Sequence, residues 1–295
     1  MSIDLLNKQQ EISCESTSFL SETDRTQFGA NGFLIYENVL TDAEISTYHD
    51  LITAQRKKVK KVLYGEKAGQ PRNFEDLLEL RNAVSHDEKL LDLMTHPKIF
   101  PLIVDLMGPN ISLVTSHIFY RPPTVKVPAN FKQIDWHRDG PSDGGLAING
   151  RYPWLYTKVG IFLTDLTIQD AGSLRVVPSS HLNDLNAKSL RGNTEPIGAY
   201  EAKIPAGSVI IFDNRILHAV GPNYSAISRE NIYFGFGWRH IRPIDFTSQS
   251  QELLDKCTPI QKQLFGEKTS ELGYYLPLEE DVPLAAWQKK RLGSR

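Results

Sequence analysis

The residue types best suited to chemistry in this chain are two histidines and an aspartate. His137 and Asp139 lie in the stretch DWHRDG, and His218 lies near the end of GSVIIFDNRILHAVGPN. Two imidazoles and one carboxylate, with other coordination positions left open, form the facial triad of non-heme Fe(II) oxygenases. In an extended segment residues i and i+2 point to one face. His-x-Asp therefore aims an imidazole and a carboxylate at one point, while Arg138 points the other way. His-x-Asp alone is a weak signal. It gains weight from the distal histidine, which follows a strand opened by PAGS, and from Arg229, just before the apolar run NIYFGFGW. A buried guanidinium there is suited to gripping a dicarboxylate.

Those groups need a scaffold, and the chain has one. Its 295 residues suffice for one large domain or two ordinary ones, with 40% hydrophobic and 23% charged content, as in ordinary globular proteins. No linker or repeat divides it, so we read a single domain over 1–295: a flexible start over 1–20, a core over about 110–245, and a C-terminal helix and tail over 246–295. A net charge of −2 provides no basic field for nucleic acid. No apolar run approaches the roughly 20 residues that span a bilayer, so no membrane partner is expected. Cys14 and Cys257 are far apart and belong to no CxxC, which fits free thiols in a reducing cytoplasm. A monomer or homodimer is expected.

Local signals predict a helix over 21–31 ending at Asn31-Gly32, a strand over 33–40, and a helix from the capping pair Thr41/Glu44 to about Lys57. The basic stretch 56–72 reads as a solvated loop, and 99–107 as a buried helix. From Asn110 the runs ISLVTSHIFYR, YTKVGIFLTDL, SLRVVPSS, GSVIIFD and NIYFGFGWRHI are short and β-branched or aromatic, separated by Gly, Pro, Asn and Asp. That spacing predicts an antiparallel sandwich or barrel. A further helix is expected over 249–265. A loop-rich tail follows, held down by Tyr274, Tyr275 and Trp287.

With these residues in view, the chain resembles the phytanoyl-CoA dioxygenase (PhyH) family of Fe(II)/2-oxoglutarate oxygenases. The resemblance runs over about 20–245 through GFLIYENVLTDAEI, GPNISLVTSHIFYRPP, WHRD, VGIFLTDLTIQDAGSLRVVPSSH and PAGSVIIFDNRILHAVGPN. It implies a mainly β fold with flanking helices, a double-stranded β-helix or jelly roll. It also implies Fe(II) held by His137, Asp139 and His218, with 2-oxoglutarate and dioxygen as cosubstrates and the far carboxylate of 2-oxoglutarate on Arg229. Two departures stand out. Pro178-Ser179-Ser180-His181 replaces Pro-Gly-Ser-His, and Val220 occupies a position where some members carry a hydroxyl that helps hold the cosubstrate. Thr115 and His117 share a strand face that by resemblance points into the barrel, and they are the candidate replacements, with His117 equally readable as a core histidine.

The implied activity is hydroxylation of a small-molecule C–H with release of succinate and CO2. Desaturation, epoxidation or ring rearrangement by the same chemistry, or a silent jelly-roll binding module, are the alternatives. The carboxylate of Asp139 argues for oxygenation over halogenation. Substrate contacts are sought at Trp154, Arg138 and Asn82. Trp154 lies in a loop (140–156) that either covers the site or packs on the sandwich, and an arginine such as Arg138 is more often a structural ion-pair residue. A mix of aromatics and arginines fits a polar metabolite better than a lipid.

Overall fold

The computed structural model describes residues 19–58, 77–123, 134–140, 152–182, 195–267 and 269–293. The chain start with Cys14, most of the basic stretch 56–72 and most of the loop over 140–156 lie outside the described residues. The helices are α1 (Glu22–Asn31), α2 (Asp42–Lys58), α3 (Lys89–Met94), α4 (Phe100–Met107), α5 (Gln251–Asp255), α6 (Pro259–Leu264) and α7 (Pro283–Gly293). The strands are β1 (Phe33–Tyr36), β2 (Leu78–Arg81), β3 (Ile111–Arg121), β4 (Tyr156–Phe162), β5 (Leu174–Val177), β6 (Tyr200–Ala202), β7 (Val209–Asp213), β8 (Leu217–Val220) and β9 (Arg229–Trp238). They form a six-stranded sheet, β1-β7-β4-β9-β3-β2, and a three-stranded sheet, β6-β5-β8. β1–β7, β2–β3, β4–β7, β5–β6 and β5–β8 pair antiparallel. The strand pattern predicted an antiparallel sandwich or barrel, and the arrangement is the jelly roll that the family resemblance implied.

The described residues divide into two compact units. One comprises Glu22–Arg81 and Ser116–Gly235. Its core is a layer between the two sheets: Phe162, Ile210, Phe212 and Tyr233 come from the larger sheet, and Leu174, Val176 and Ala202 from the smaller. All five residues of β7 are buried, as befits a strand flanked on both sides by β1 and β4. α1 stops at Gly32, whose φ of 85° is a left-handed conformation that glycine adopts without a Cβ clash. Its N–H donates to Phe28 O at 2.8 Å, as in helix C-caps. α2 opens on the predicted capping box. Glu44 N donates to Thr41 Oγ1 at 3.3 Å, and Thr41 N donates to Glu44 Oε2 at 2.7 Å.

The described residues of the other unit, 19–21, 82–115, 236–267 and 269–293, are largely helical. Two sequence expectations are corrected here. The helix foreseen over 249–265 is two helices, because Pro259 forces Thr258 out of the helical region (ψ 162°), as the residue before proline generally is. Thr258 then caps α6 through a full capping box with Gln261. The tail is not loop throughout: α7 starts at Pro283, a favourable first helical position, and buries Leu284 and Arg291. Trp287 packs on Phe100 with ring centroids 6.3 Å apart, whereas Tyr275 is 83% exposed and holds nothing down. Cys257 is a buried free thiol, its pKa pushed up to about 11 by burial. No described helix is long and apolar enough to cross a membrane.

α7 is locked by a buried ion pair between Arg291 and Asp105. The guanidinium also lies near the rings of Phe19 and Trp287, at 4.5 and 4.9 Å from their centroids. Arg291→Met leaves Asp105 without its cation in a buried setting. The expected loss is about 3 kcal/mol, read as a lower urea midpoint at unchanged slope. An unchanged midpoint would show the pair to be energetically silent.

Candidate active site

His218 sits in β8, opposite Val176 of β5. On its other side the chain returns at His137, and the two histidines face each other as an isolated antiparallel bridge. His137 N donates to His218 O and His218 N to His137 O, both at 2.9 Å. This closed pair of bonds puts the two imidazoles side by side, with ring centroids 4.3 Å apart. Asp139 is placed by Asn214, in the turn between β7 and β8. Asp139 N donates to Asn214 O at 3.0 Å, and Asn214 Nδ2 returns a bond to Asp139 O at 3.0 Å. Asn214 Oδ1 also accepts from Leu155 N at 3.1 Å, tying the start of β4 to the same turn. Nothing local in FDNRILH marks Asn214 for this role.

The three ligand-type side chains converge. His137 Nε2 is 3.8 Å from Asp139 Oδ1, and His218 Nε2 is 3.7 Å from Asp139 Oδ2. One donor atom from each residue lies within 4.8 Å of the others. Both rings are oriented from behind: Nδ1–H of His137 donates to Asp135 O at 2.8 Å, and that of His218 to Ile216 O at 3.0 Å. With Nδ1 carrying the proton, each Nε2 turns a lone pair toward the aspartate, the tautomer that metal ligation requires. Burial, and then the neighbouring His137, push the His218 imidazole down to about 3, so it is neutral at physiological pH. Burial works to raise the Asp139 carboxyl, but Lys158, His218 and His137 outweigh it and hold it well below the usual carboxylate range. Side-chain exposure is 46% at His137, 13% at Asp139 and 5% at His218. Two imidazole nitrogens and one carboxylate oxygen at these separations fit a ferrous ion.

Beside the triad stands Lys158 of β4, with Nζ 2.7 Å from Asp139 Oδ2. The sequence reading passed over it. Its signal was a single lysine in the apolar run YTKVGIF, on the face shared by Tyr156, Gly160 and Phe162. Gly160 has its own reason: a Cβ there would meet the Tyr233 ring at 2.4 Å. Tyr233 also packs edge-on to Phe119, Phe162 and Phe212, and Phe212 in turn contacts His218 at 5.1 Å between centroids.

Arg229 is 1% exposed and donates from Nη2 to Tyr233 Oη at 3.3 Å. Gly172 makes room for it, since a Cβ there would lie 3.1 Å from Arg229 Cδ. Arg121 is close enough that burial, and then Arg229, pull its guanidinium down to about 10. Three buried polar groups in this region have unused hydrogen-bonding capacity among the described residues: Nε of Arg229, Nε of Arg121, and both amide atoms of Asn231. Asn231 shares the strand face of Arg229 and Tyr233. Buried polar groups are normally paired, and two adjacent guanidiniums repel, so this cluster suits an anionic, oxygen-rich ligand such as the far end of a keto diacid.

The remaining sequence candidates are drawn elsewhere. Thr115 donates to Asp245 Oδ2 at 3.0 Å. His117 accepts from Arg81 Nη1 at 3.3 Å. Burial, then Lys158 and Arg81, drive it far below the usual imidazole range, so it is a neutral ring. Arg138 donates to Arg215 O and Ser180 O at 2.7 and 3.0 Å, turned away from Asp139 as the strand period dictates. Trp154 donates to Thr157 Oγ1 at 3.1 Å and packs on Phe28, 5.9 Å between centroids. Asn82 exchanges side-chain hydrogen bonds with Gln249 at 2.8 and 3.4 Å. The structure therefore joins the triad, and separately gathers buried polar atoms without partners at Arg229, Arg121 and Asn231. Thr115, Arg138, Trp154 and Asn82 each have hydrogen-bond partners within the fold.

Comparison with known proteins agrees with this geometry. The chain is 26% identical over 173 residues to a probable alpha-ketoglutarate-dependent hypophosphite dioxygenase of Stutzerimonas stutzeri. That match covers 52% of this chain and 52% of the relative, so the chain spans about half the relative's length. In fold it is similar to EctD from S. alaskensis in its apoform (TM-score 0.59, 15% identity, 79% of this chain and 82% of that one). It is likewise similar to HygX from Streptomyces hygroscopicus with nickel and 2-oxoglutarate bound (0.58, 15%, 78% and 89%). A third likeness is to the non-heme alpha ketoglutarate dependent carbocyclase SnoK from nogalamycin biosynthesis (0.55, 17%, 74% and 84%). The family model described as Phytanoyl-CoA dioxygenase (PhyH) matches residues 28–231, which hold the triad and Arg229. The chain therefore belongs to the phytanoyl-CoA dioxygenase family of 2-oxoglutarate-dependent non-heme iron oxygenases.

Proposed function

We propose that this protein hydroxylates an unactivated C–H bond of a small, polar metabolite, consuming 2-oxoglutarate and dioxygen and releasing succinate and CO2. One oxygen atom of O2 goes to the substrate and the other to succinate, so the reaction balances without a further reductant. The carrying observation is the meeting of His137, Asp139 and His218 within 4.8 Å, in a chain whose family works with this ion and cosubstrate. Those three residues hold the iron, which when bound supplies the activation of dioxygen. Arg229 receives the far carboxylate of 2-oxoglutarate through a charge-assisted fork, with the Asn231 amide and Arg121 beside it. Tyr233, wedged between Phe212 and Arg229, walls the path between the two ends and keeps it dry. Asp139 fills the carboxylate position, which favours oxygenation over halide chemistry.

The test is to load the protein with Fe(II) under anaerobic conditions, add 2-oxoglutarate and a metabolite pool, and admit air. Succinate should appear, together with a product one oxygen heavier than a member of the pool. A product two hydrogens lighter would transfer the reading to desaturation. Failure of 2-oxoglutarate to bind the iron-loaded protein would remove the reading altogether.

A further inference from the structure

We propose that Lys158 is a cosubstrate-positioning residue: its ammonium holds the Asp139 carboxylate in the metal-free protein and passes to a metal-end oxygen of the 2-oxo acid once the ion has claimed that carboxylate. The proposal rests on the function just described. It bears on the metal end of the cosubstrate, where Val220 offers no hydroxyl and Thr115 donates to Asp245 Oδ2.

Three observations carry it. First, Lys158 Nζ is 2.7 Å from Asp139 Oδ2 with the side chain only 13% exposed. It stands at the donor set itself and has little access to water. Second, the same ammonium is 5.5 Å from the Tyr233 ring centroid, and the Tyr233 hydroxyl is the partner of Arg229. A short dianion reaching from the triad to Arg229 passes along Tyr233, within reach of Lys158. Third, the charges require an intermediary. Arg81 also faces this group, through the His117 ring, and its own carboxylate partner is Glu79. When a dication shares Asp139, the lysine keeps a nearby positive neighbour and loses part of its anion. Like charges at such range destabilise each other in a partly dry site, and an anionic oxygen between them removes the conflict. Lysine suits this role because a flexible stem carries three donors and can change partner without moving the strand.

The test uses nickel-loaded full-length protein, which binds without turning over, with 2-oxoglutarate and 2-oxopentanoate titrated calorimetrically. The second probe keeps the 2-oxo acid end and lacks the far carboxylate. Lys158→Met should weaken both probes by a similar factor, roughly ten- to hundredfold for a lost charged hydrogen bond, while nickel content stays at one per chain. Lys158→Arg should recover most of the loss. Wild-type affinity in Lys158→Met would overturn the proposal and leave the function standing. A loss confined to 2-oxoglutarate would place Lys158 at the far carboxylate and overturn the metal-end assignment. If Lys158→Met fails to fold or hold nickel, Lys158→Arg decides, since equal weakening there by more than tenfold with nickel retained contradicts an interchangeable cation. Failure of the wild type to bind either probe would instead remove the underlying function.

Discussion

Asp139→Ala protein is expected to emerge from gel filtration without iron and to release no measurable succinate. The aspartate supplies the only anionic donor of the triad, and both histidine Nε2 atoms point at it, 3.8 and 3.7 Å from its oxygens. Replacing a partner that merely orients a ligand typically costs about 10- to 100-fold in metal affinity or activity, so removing a ligand outright should cost about 100-fold at the least. The alanine variant also strips Lys158 of its carboxylate, leaving an ammonium beside two imidazoles, so iron meets an uncompensated cation where it formerly met an anion. Metal content by elemental analysis and succinate by chromatography check the two effects separately, and circular dichroism shows whether the sheet survives. Full iron content with full activity would mean that the triad is a structural cluster and that the metal sits elsewhere.

The second large effect is expected at Arg229. Arg229→Leu should raise the 2-oxoglutarate concentration needed for half-maximal succinate release by about 100-fold, corresponding to two charge-assisted hydrogen bonds at roughly 1.5 kcal/mol each. Arg229→Lys keeps the charge and loses the fork, and about tenfold is expected. The packing gives this prediction its direction. Gly172 leaves room for the guanidinium stem, Phe162 lies 5.8 Å from its charged carbon, and its 1% exposure shuts out the water that otherwise compensates a missing cation. The maximal rate at saturating 2-oxoglutarate should change less than the requirement, because the residue acts on binding at the end remote from the reacting atoms. An unchanged requirement in both variants would remove Arg229 from the cosubstrate pocket.

Several of these residues were legible because their signals are local. A two-residue period forces His137 and Asp139 onto one side and Arg138 onto the other, whatever the surrounding fold. The apolar runs around β7 and β9 could be read as buried strands from composition, and Asn31-Gly32 and the Thr41/Glu44 pair marked helix ends through backbone chemistry alone. What stayed hidden depends on register and on partners distant in the chain. Lys158 looks like any strand lysine until β4 is aligned beside the triad. Asn214 positions Asp139 and the start of β4 only because a turn brings three segments together. Thr115 and Asn82 have plausible functional chemistry as isolated residues, yet each forms a hydrogen bond to a partner 130 and 167 residues away, respectively. Pro259 and Pro283 did carry information about α6 and α7. A proline suits the first helical position and turns the residue before it out of the helix, so a helix drawn across 249–265 overlooked the break before Pro259.

The uneven exposure of the three ligands has a kinetic consequence. Among the described residues His137 is the most open of the three ligands, with 46% side-chain exposure against 13% at Asp139 and 5% at His218. For an ion held by all three, an external chelator is expected to compete first at the His137 bond, while the two sheltered ligands set how long the ion remains.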